Sequence, residues 1–353
     1  MLSHNNISAI NNSPKVSVII LNAFQTTNLE ECLESLKKTN YPDFEIIVID
    51  CLTRGISEFI NGKFPYVRLF PLTEDIGPAA MHNTGLDKAD PNSKYIAFLD
   101  NDIRADPDWL KELVICIDSD TQIGAVQSKI MLYDNPKYFN TRGNKANYLA
   151  VGWPDGYNEP DDGDTSIREI SFPSGASMIM RREALEKVGG YDSDYFIYAD
   201  DMDAGLRIYL AGYKILYCPK SVIFHKYKFL KNPRNFYYLS RNRIFTFLKL
   251  YSQRTYIKLL PPFLFYEIAM FGYAIQNGCL KQLLTAYVSI MKNFKSIRKK
   301  RSEIDQFKKV SDNEIFLKLE GGIDFPEISS HPAVKYLLNP FLEKYRNFIL
   351  IKM

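Results

Sequence analysis

The first hundred residues repeat one pattern, in which an apolar run of five or six residues alternates with a segment that has helical spacing. The runs 16–21 and 44–49 are nearly continuous in apolar residues, which is typical of strands buried on both faces. Between them, Leu29, Leu33 and Leu36 recur at the spacing of one helix face. This alternation predicts an α/β fold, with a mostly parallel sheet covered by helices on both faces.

Two aspartates occupy the positions at which such a sheet binds ligands. Asp50 ends the second apolar run, and Asp100 ends a later run at residues 95–99. We also predict a third strand at 66–70 and a helix at 77–89 between these two runs. Because ligands bind beyond the carboxyl ends of parallel strands, both aspartates are placed for function before any motif is considered.

Regular patterning changes twice in the remainder of the chain. Residues 131–170 lack a period and predict a long loop region. A helix is expected at 200–211, and short strands at 213–217 and 222–224. Beyond residue 231 the segments are helical, aromatic and basic, and one helix is expected at 264–276. These patterns predict a polar tail at 1–14, an α/β domain at 15–230 with halves 15–103 and 104–230, and a helical region at 231–353.

Charge is distributed unevenly between the two ends of the chain. Residues 226–353 contain 23 Lys and Arg against 9 Asp and Glu, a net charge of +14, whereas residues 1–225 have a net charge of −11. An acidic front half suits cation binding, and a basic, aromatic rear half suits an anionic surface. A solvated basic face is the alternative for the rear half.

The cysteines and the N-terminus bear on the cellular compartment. The five cysteines lie far apart and form no CxxC pair, which excludes a disulfide scaffold and a cysteine-based zinc site. Residues 1–14 lack the basic and apolar segments of a secretory signal. We therefore expect a reducing, cytoplasmic location.

The sharpest local motif is Asp100-Asn101-Asp102, which follows an apolar strand. Two carboxylates at i and i+2 on a turn can converge on one hard divalent cation such as Mg²⁺ or Mn²⁺. A turn with a helix N-cap is the alternative for an isolated motif of this kind.

A second acidic cluster, Asp200-Asp201-Met202-Asp203, begins a predicted helix. Carboxylates there are favourable to the helix dipole, which alone could explain them. However, three carboxylates at these positions cannot share one helix face, so at least one is expected to point into a cleft as a candidate general base. His225 follows the last predicted strand and is a candidate imidazole ligand for a metal.

Taken in order, these motifs resemble a family 2 glycosyltransferase with a GT-A fold, over about residues 16–225. Each motif alone is short, but the ordered set at this spacing is specific. The matching landmarks are the strand and Asn at 16–22, the helix residues 32–36, the strand ending at Asp50, the positions Gly77, Ala79, Asn83 and Gly85, the Asp-Asn-Asp at 100–102, the segments Gly175-Ala176, Arg181-Arg182 and 189–192, and the acidic cluster followed by Arg207 and Gly212-Tyr213.

The resemblance implies inverting transfer of a sugar from a nucleotide-diphosphate sugar to a hydroxyl of a glycan or a polyprenyl-linked acceptor. It implies Mn²⁺ or Mg²⁺ held by Asp100, Asp102 and His225, with Asp201 as the general base. It also implies donor contacts from Asn22, Asp50, Asp75, Gly77, Asn83 and Asn101, and acceptor-side positions at Trp153, Ser174, Gly175 and Asp200.

Three departures from the family pattern leave the donor nucleotide open. The usual Asp-Asn-x-Ser-x-Asp is Asp-Cys-Leu-Thr-Arg-Gly at 50–55, the usual Tyr-Asn after the first strand is Ala23-Phe24, and Asp75 replaces an Asn. A non-catalytic nucleotide-sugar binding protein is one alternative, against which the retained Asp201 argues. A nucleotidyltransferase is the other, and it would need a Gly-rich basic loop after the first strand.

The rear region contains one long apolar segment, residues 259–280, between Lys258 and Lys281. Its two prolines and Glu267 oppose a membrane-spanning helix. We predict that the region from about residue 232 onward associates peripherally with the cytoplasmic face of an anionic membrane. Burial in the core or in a homodimer interface is the alternative, and we expect no nucleic-acid partner.

Overall fold

The structure is a computed structural model that describes residues 13–227 and 232–352. The predicted tail therefore lies outside the described residues except for Ser13 and Pro14. The predicted boundary between residues 230 and 231 also lies outside them.

The strands follow the predicted alternation through the front of the chain. Residues 16–21, 44–49, 66–70 and 95–99, predicted as strands, all contribute to strands of the structure. In chain order the strands are β1 (Val16–Ala23), β2 (Phe44–Cys51), β3 (Arg68–Leu72), β4 (Tyr95–Asp100), β5 (Ile103–Ala105), β6 (Ile123–Leu132), β7 (Phe139–Thr141), β8 (Asn144–Ala146), β9 (Gly152–Pro154), β10 (Arg168–Glu169), β11 (Ser177–Arg181) and β12 (Lys214–His225).

Helices alternate with the strands in the front and replace them in the rear. A 3-10 turn at Ser193–Tyr195 and a π-helical turn at Val334–Leu338 supplement the α-helices. The helices are α1 (Thr27–Leu36), α2 (Ile56–Lys63), α3 (Gly77–Lys88), α4 (Trp109–Asp118), α5 (Arg182–Lys187), α6 (Asp200–Leu210), α7 (Pro233–Leu250), α8 (Gln253–Gln276), α9 (Leu280–Lys292), α10 (Phe294–Phe307), α11 (Asp312–Lys318), α12 (Pro326–Ser329) and α13 (Asn339–Lys352).

The large sheet has the order β10-β12-β6-β11-β4-β1-β2-β3, with β5 on β12 and β7 on β6. Strand β1 is parallel to both β2 and β4, and β12 is parallel to β6. Strand β11 is antiparallel to both of its neighbours. The predicted α/β fold with a mostly parallel sheet is thus confirmed.

Register brings the ends of three neighbouring strands to one edge. Asn22 of β1 lies opposite Asp50 of β2, and Leu21 of β1 lies opposite Asp100 of β4. Because the three strands are parallel, their polar terminal side chains meet beyond the carboxyl edge, as predicted.

Three parts of the structure differ from the sequence prediction. The two short strands expected at 213–217 and 222–224 are one strand, β12, with a register shift between Cys218 and Val222. The expected loop region 131–170 contains the end of β6 and the short strands β7 to β10. The helix expected at 264–276 begins at Gln253, where the preceding Ser252 side chain accepts a hydrogen bond from the Thr255 backbone N–H.

The rear helices share a hydrophobic core with the front domain. One cluster contains Trp153 of β9 and Met202 of α6 together with Phe247, Tyr251 and Leu259 of the rear helices. Helix α6 is therefore packed partly by residues from the last third of the chain. None of the described helices combines the length and apolar character that crossing a bilayer requires.

Candidate active site

Asp100, Asp102 and His225 converge at the carboxyl edge of the sheet. One ligand atom from each lies within 4.8 Å of the others. His225 Nε2 is 3.2 Å from an Asp102 oxygen and 3.7 Å from an Asp100 oxygen. The pairing of β12 with β5 places His225 opposite Ile103, which explains how residues so far apart in the chain meet. Two carboxylates and an imidazole fit a divalent cation such as Mn²⁺ or Mg²⁺.

The imidazole of His225 is oriented from the other side by Asn140. The Nδ1 atom lies 2.8 Å from the Asn140 side-chain oxygen, and both residues are buried. Because an amide oxygen only accepts hydrogen bonds, Nδ1 carries a proton and Nε2 faces the two aspartates. Burial lowers the pKa of His225, but the neighbouring Asp102 and Asp100 outweigh that effect and raise it.

Asp201 is held by two backbone N–H groups. The Gly175 N–H donates to one carboxylate oxygen at 3.2 Å, and the Met202 N–H donates to the other at 2.7 Å. Burial and the charge of Asp200 nevertheless raise the pKa of Asp201 to about 7, with a further contribution from Asp100. A carboxylate with a pKa near neutrality is suited to act as a general base.

The other two carboxylates of the acidic cluster have different environments. Asp203 is buried, accepts a 2.8 Å hydrogen bond from Arg207 and forms a 2.7 Å ion pair with Lys249. Burial raises its pKa, but these two cations outweigh burial and lower it. Asp200 lies beside the buried His82, with 3.6 Å between its carboxylate and Nδ1. The three carboxylates of the cluster thus have three different environments, and their roles stay predictions.

A strained turn leads into α6. Phe196, Tyr198 and Ala199 have φ angles of 61°, 67° and 59°, a left-handed conformation that non-glycine residues rarely adopt. Such residues cost about 1–3 kcal/mol each and persist only where the surrounding structure enforces them. The turn 196–199 therefore needs external contacts to place Asp200 and Asp201.

Asn242 of α7 supplies such contacts from the rear of the chain. Its side-chain nitrogen lies 3.0, 2.8 and 2.7 Å from the backbone oxygens of Tyr195, Ile197 and Tyr198. Asn242 is fully buried. The neighbouring Arg241 donates a further bond to the Tyr195 oxygen at 2.7 Å. The turn is thus fixed by a helix that follows α6 in the chain and belongs to the rear region.

Gly77 of α3 contacts the same turn. It has a φ of +76°, and a Cβ atom there would lie 2.6 Å from the Phe196 ring and backbone oxygen. Next to it, the Ala79 N–H donates to the Phe196 oxygen at 3.2 Å. Only glycine fits this contact, so Gly77 joins α3 to the turn that precedes Asp200 and Asp201.

A chain of hydrogen bonds connects the predicted donor residues. Asn101 donates to Asn22 at 2.5 Å, and Asn22 donates to Asp50 at 2.6 Å. The second oxygen of Asp50 accepts from the Thr53 N–H at 3.0 Å. Asp50 is almost fully buried, so the chain ties the ends of β1, β2 and β4 together.

A cleft of about 440 Å³ lies next to this chain. It is lined by Phe24 and Leu52, both exposed and both with a φ of 62°, together with Arg54. Phe24 and Thr53, which also lines the cleft, stand at positions where the sequence departs from the family pattern. Two of the departures therefore lie on one cleft beside the predicted nucleoside contacts.

The remaining predicted site residues have varied environments. Asp75 is exposed and accepts a bond from the Gly77 N–H. Asn83 donates to the Tyr191 oxygen and accepts from its N–H, both at 2.8 Å. Ser174 donates its backbone N–H to Gln127 at 2.8 Å, and Trp153 is buried in the core shared with the rear helices. Their contacts with substrate stay predictions.

Comparison with known proteins agrees with this geometry. Residues 16–189 match the sequence pattern described as Glycosyl transferase family 2. The matched segment contains the Asp100-Asn101-Asp102 motif but ends before Asp201 and His225. The assignment of those two residues therefore depends on their position in the structure.

Two curated relatives match the front of the chain. A protein of Mycobacterium tuberculosis named N-acetylglucosaminyl-diphospho-decaprenol L-rhamnosyltransferase is 25% identical over 220 residues, which cover 56% of this chain and 71% of that protein. The O-antigen biosynthesis protein RfbC of Myxococcus xanthus is 26% identical over 226 residues, which cover 61% of this chain. The match spans only 18% of the length of RfbC.

A solved structure supports the fold over a longer part of the chain. The mannosyltransferase PcManGT of Pyrobaculum calidifontis, solved in complex with GDP-Man and Mn²⁺, superposes with a TM-score of 0.51 at 18% identity. The superposition covers 84% of this chain and 86% of that protein, and it supports a GT-A fold. The matched segment and the relatives together identify residues 16–189 as a glycosyltransferase family 2 sequence, and the superposition supports the corresponding fold over a longer part of the chain.

Proposed function

We propose that this glycosyltransferase moves a sugar from a nucleotide-diphosphate sugar to a hydroxyl of a glycan or lipid-linked acceptor, with inversion at the anomeric carbon. One observation carries the proposal: a cluster of three potential cation ligands and a partly buried carboxylate of raised pKa lie at the same edge of the sheet. The cation site suits a diphosphate leaving group, and the carboxylate is suited to accept the proton of an attacking hydroxyl.

Asp100, Asp102 and His225 are the residues proposed to hold Mn²⁺ or Mg²⁺. A bound divalent cation would supply the positive charge that stabilises a departing nucleoside diphosphate. Asn140 keeps the His225 imidazole in the orientation that this site needs. Asn22, Asp50 and Asn101 are the proposed nucleoside-side contacts, at the end of the sheet beside the cleft of Phe24 and Leu52.

Asp201 is the proposed general base. As the acceptor oxygen attacks the anomeric carbon, the Asp201 carboxylate takes the hydroxyl proton, and the bond from that carbon to the diphosphate oxygen breaks. Attack from the face opposite the leaving group inverts the anomeric configuration. The Gly175 and Met202 N–H groups fix the position of the carboxylate during this transfer.

The acceptor proposal is supported by the relatives and by the rear of the chain. The mycobacterial relative is named for a decaprenol-linked substrate. Residues 226–353 have a net charge of +14 and suit an anionic membrane, where a lipid-linked acceptor is presented. We therefore propose a peripheral location at the cytoplasmic face of such a membrane.

A thermal-shift screen of sugar nucleotides with and without Mn²⁺ tests the proposal. A true donor should raise the melting temperature only when Mn²⁺ is present, because a ligand that binds the folded state stabilises it. Incubation of that donor with a polyprenyl-linked acceptor should then release the nucleoside diphosphate. Donor binding without any transfer would instead support a non-catalytic binding protein.

A further inference from the structure

Helix α8 has apolar residues on both its inner and its outer face. Its inner face packs Leu259, Tyr266 and Ala274 against the rest of the protein. A surface helix normally turns polar residues outward, and a helix that is apolar all round is normally covered. We therefore expect a binding partner to cover the outer face of α8.

The outer face forms one continuous row. Six exposed apolar side chains recur at intervals of three or four residues over about 27 Å of helix. Ile268, at the middle of the row, is 70% exposed. The row consists of Ile257, Leu260, Leu264, Ile268, Phe271 and Ile275.

The one acidic residue of this segment is turned away from the row. Glu267 is bound by Arg243 of α7 and accepts a 2.6 Å hydrogen bond from Tyr287 of α9. Its side chain is only 13% exposed. Among the described residues 259–280 no other carries a charge, so the outer face is uncharged from Leu260 to Ile275.

Exposed cations flank the row at both ends. Arg254 and Lys258 lie on the first two turns of α8, and Lys281 follows the turn after it. A second copy of the chain would bring positive ends against the row in either direction. An anionic headgroup layer instead attracts the cations at both ends at once.

Helix α9 likewise has exposed apolar residues next to an exposed cation. Its exposed Leu284, Val288 and Met291 lie at helical spacing, with the exposed Lys292 beside them. Apolar rows with cations at their borders are the feature of helices that lie in the plane of a membrane interface.

We propose that the row on α8, supported by α9, inserts into the interfacial layer of an anionic membrane and lies parallel to its plane. This inference rests on the proposed function, because it names the surface by which the enzyme reaches a lipid-linked acceptor. The electrostatic part of the attraction acts through the flanking cations, and the apolar part acts through the row.

Co-sedimentation of the full chain with vesicles tests the proposal. We expect binding to vesicles that contain phosphatidylglycerol, weaker binding at high salt, and little binding to phosphatidylcholine alone. The triple variant Leu264→Gln, Ile268→Gln, Ile275→Gln should weaken binding at least about tenfold. The matched control Ile115→Gln, Ile167→Gln changes two exposed isoleucines of the front domain and should bind as the wild type does.

A spectroscopic variant measures insertion directly. Both native tryptophans, Trp109 and Trp153, are buried. The tryptophan introduced by Ile268→Trp should shift its emission to the blue when anionic vesicles are added, and the one introduced by Ile115→Trp should not. An unshifted Ile268→Trp emission, or unchanged binding of the triple variant, overturns the proposal.

Two further measurements distinguish membrane insertion from self-association and from a general loss of folding. If light scattering shows that the wild type is a dimer and the triple variant a monomer, the row is a contact between copies and the proposal is wrong. Mn²⁺-dependent donor binding should be the same in the triple variant as in the wild type. Loss of vesicle binding with intact donor binding is therefore specific to this surface, whereas absent donor binding in both proteins counts against the proposed function alone.

Discussion

The acidic front and the basic rear of the chain differ in where their charges point. In the front, Asp100, Asp102 and Asp201 lie at one edge of the sheet. Among the described residues, His225 is the only side chain that forms an ion pair with any of these three aspartates. In the rear, one set of cations points inward and a second set is exposed. Net charge alone therefore does not tell how much charge is available to a partner.

The inward cations pair with acids of the front domain. Lys249 of α7 lies 2.7 Å from Asp192 and 2.7 Å from Asp203, and Lys300 of α10 binds Asp192 and Asp194. Burial raises the pKa of Asp192, but these two lysines outweigh burial and lower it. Part of the positive charge of the rear therefore neutralises the front and is not available to a membrane.

The outward cations remain exposed to solvent. They include Lys292 and Lys295 near the junction of α9 and α10, and Arg298 and Lys299 further along α10. The rear thus has two tasks that a single count of charge cannot separate. It supports the turn and helix that carry Asp201, the proposed base, and it presents a basic surface.

The largest expected effect comes from removing the proposed base, Asp201, in the front domain. Asp201→Asn keeps the shape of the side chain but removes its basicity, so transfer should fall about 10²- to 10⁴-fold. Donor binding with Mn²⁺ should be retained. Steady-state transfer assays and calorimetric titration check this, with the exposed Glu186→Gln as control. Transfer near the wild-type rate would assign the base to another carboxylate.

Removing one metal ligand should have the next largest effect. Asp102→Ala leaves two of the three ligands, so the Mn²⁺-dependent part of donor affinity should disappear. Titration of the donor with and without Mn²⁺ measures this, and the exposed Asp87→Ala of α3 serves as control. If Asp102→Ala binds the donor as tightly as the wild type does, the cation is held elsewhere.

A substitution in helix α7 of the rear region should also affect the site in the front domain. Asn242→Ala leaves the oxygens of Tyr195, Ile197 and Tyr198 without this donor, which should lower the free energy of unfolding by about 1–3 kcal/mol. Transfer should slow as well, because the turn before α6 is no longer fixed. Urea unfolding and transfer assays test both effects. The control Asn277→Ala, at an exposed position, should change neither the free energy of unfolding nor the transfer rate. An equal loss in that control would show that the effect of Asn242→Ala is not specific to the turn.

The smallest expected effect is a shift in the pH profile. Because Asp201 has a pKa of about 7, its basic form predominates above that pH, and the transfer rate should fall as the pH drops below it. Asp200→Asn removes a negative charge that raises this pKa, so the acidic limb should move to lower pH by about one unit, equivalent to about 1.4 kcal/mol. An unmoved limb in the kcat profile would show that Asp200 does not influence the base.

Much of the front could be predicted from local patterns. Apolar runs and helical spacing indicated β1, β2 and β4, and the aspartates at their ends followed from the fold. Strand β6 was missed because Gln127, Ser128 and Lys129 interrupt its apolar residues. Ser128 can nevertheless be buried because its hydroxyl is hydrogen-bonded to the hydroxyls of Ser177 and Ser221 on other strands, at 2.7 and 2.8 Å.

The supporting residues of the site could not be predicted in the same way. Asn140 contacts a histidine 85 positions away, and Asn242 contacts a turn more than 40 positions away. Asn140 lies in no repeated spacing, and Asn242 stands between two arginines of α7, as a surface asparagine could, so no local pattern identifies either one. Their roles arise from long-range packing, which places a single amide against one imidazole or one turn.

The hold of α7 on the turn before α6 also determines how this enzyme could be recombined with a relative. The family match ends at residue 189, ahead of both the turn and Asn242. A hybrid joined at residue 225 would set a turn from one parent against α7 from the other, and the oxygens that Asn242 contacts would no longer be matched to it. Residues 190–250 should therefore be exchanged as one block, with the crossover points placed outside it.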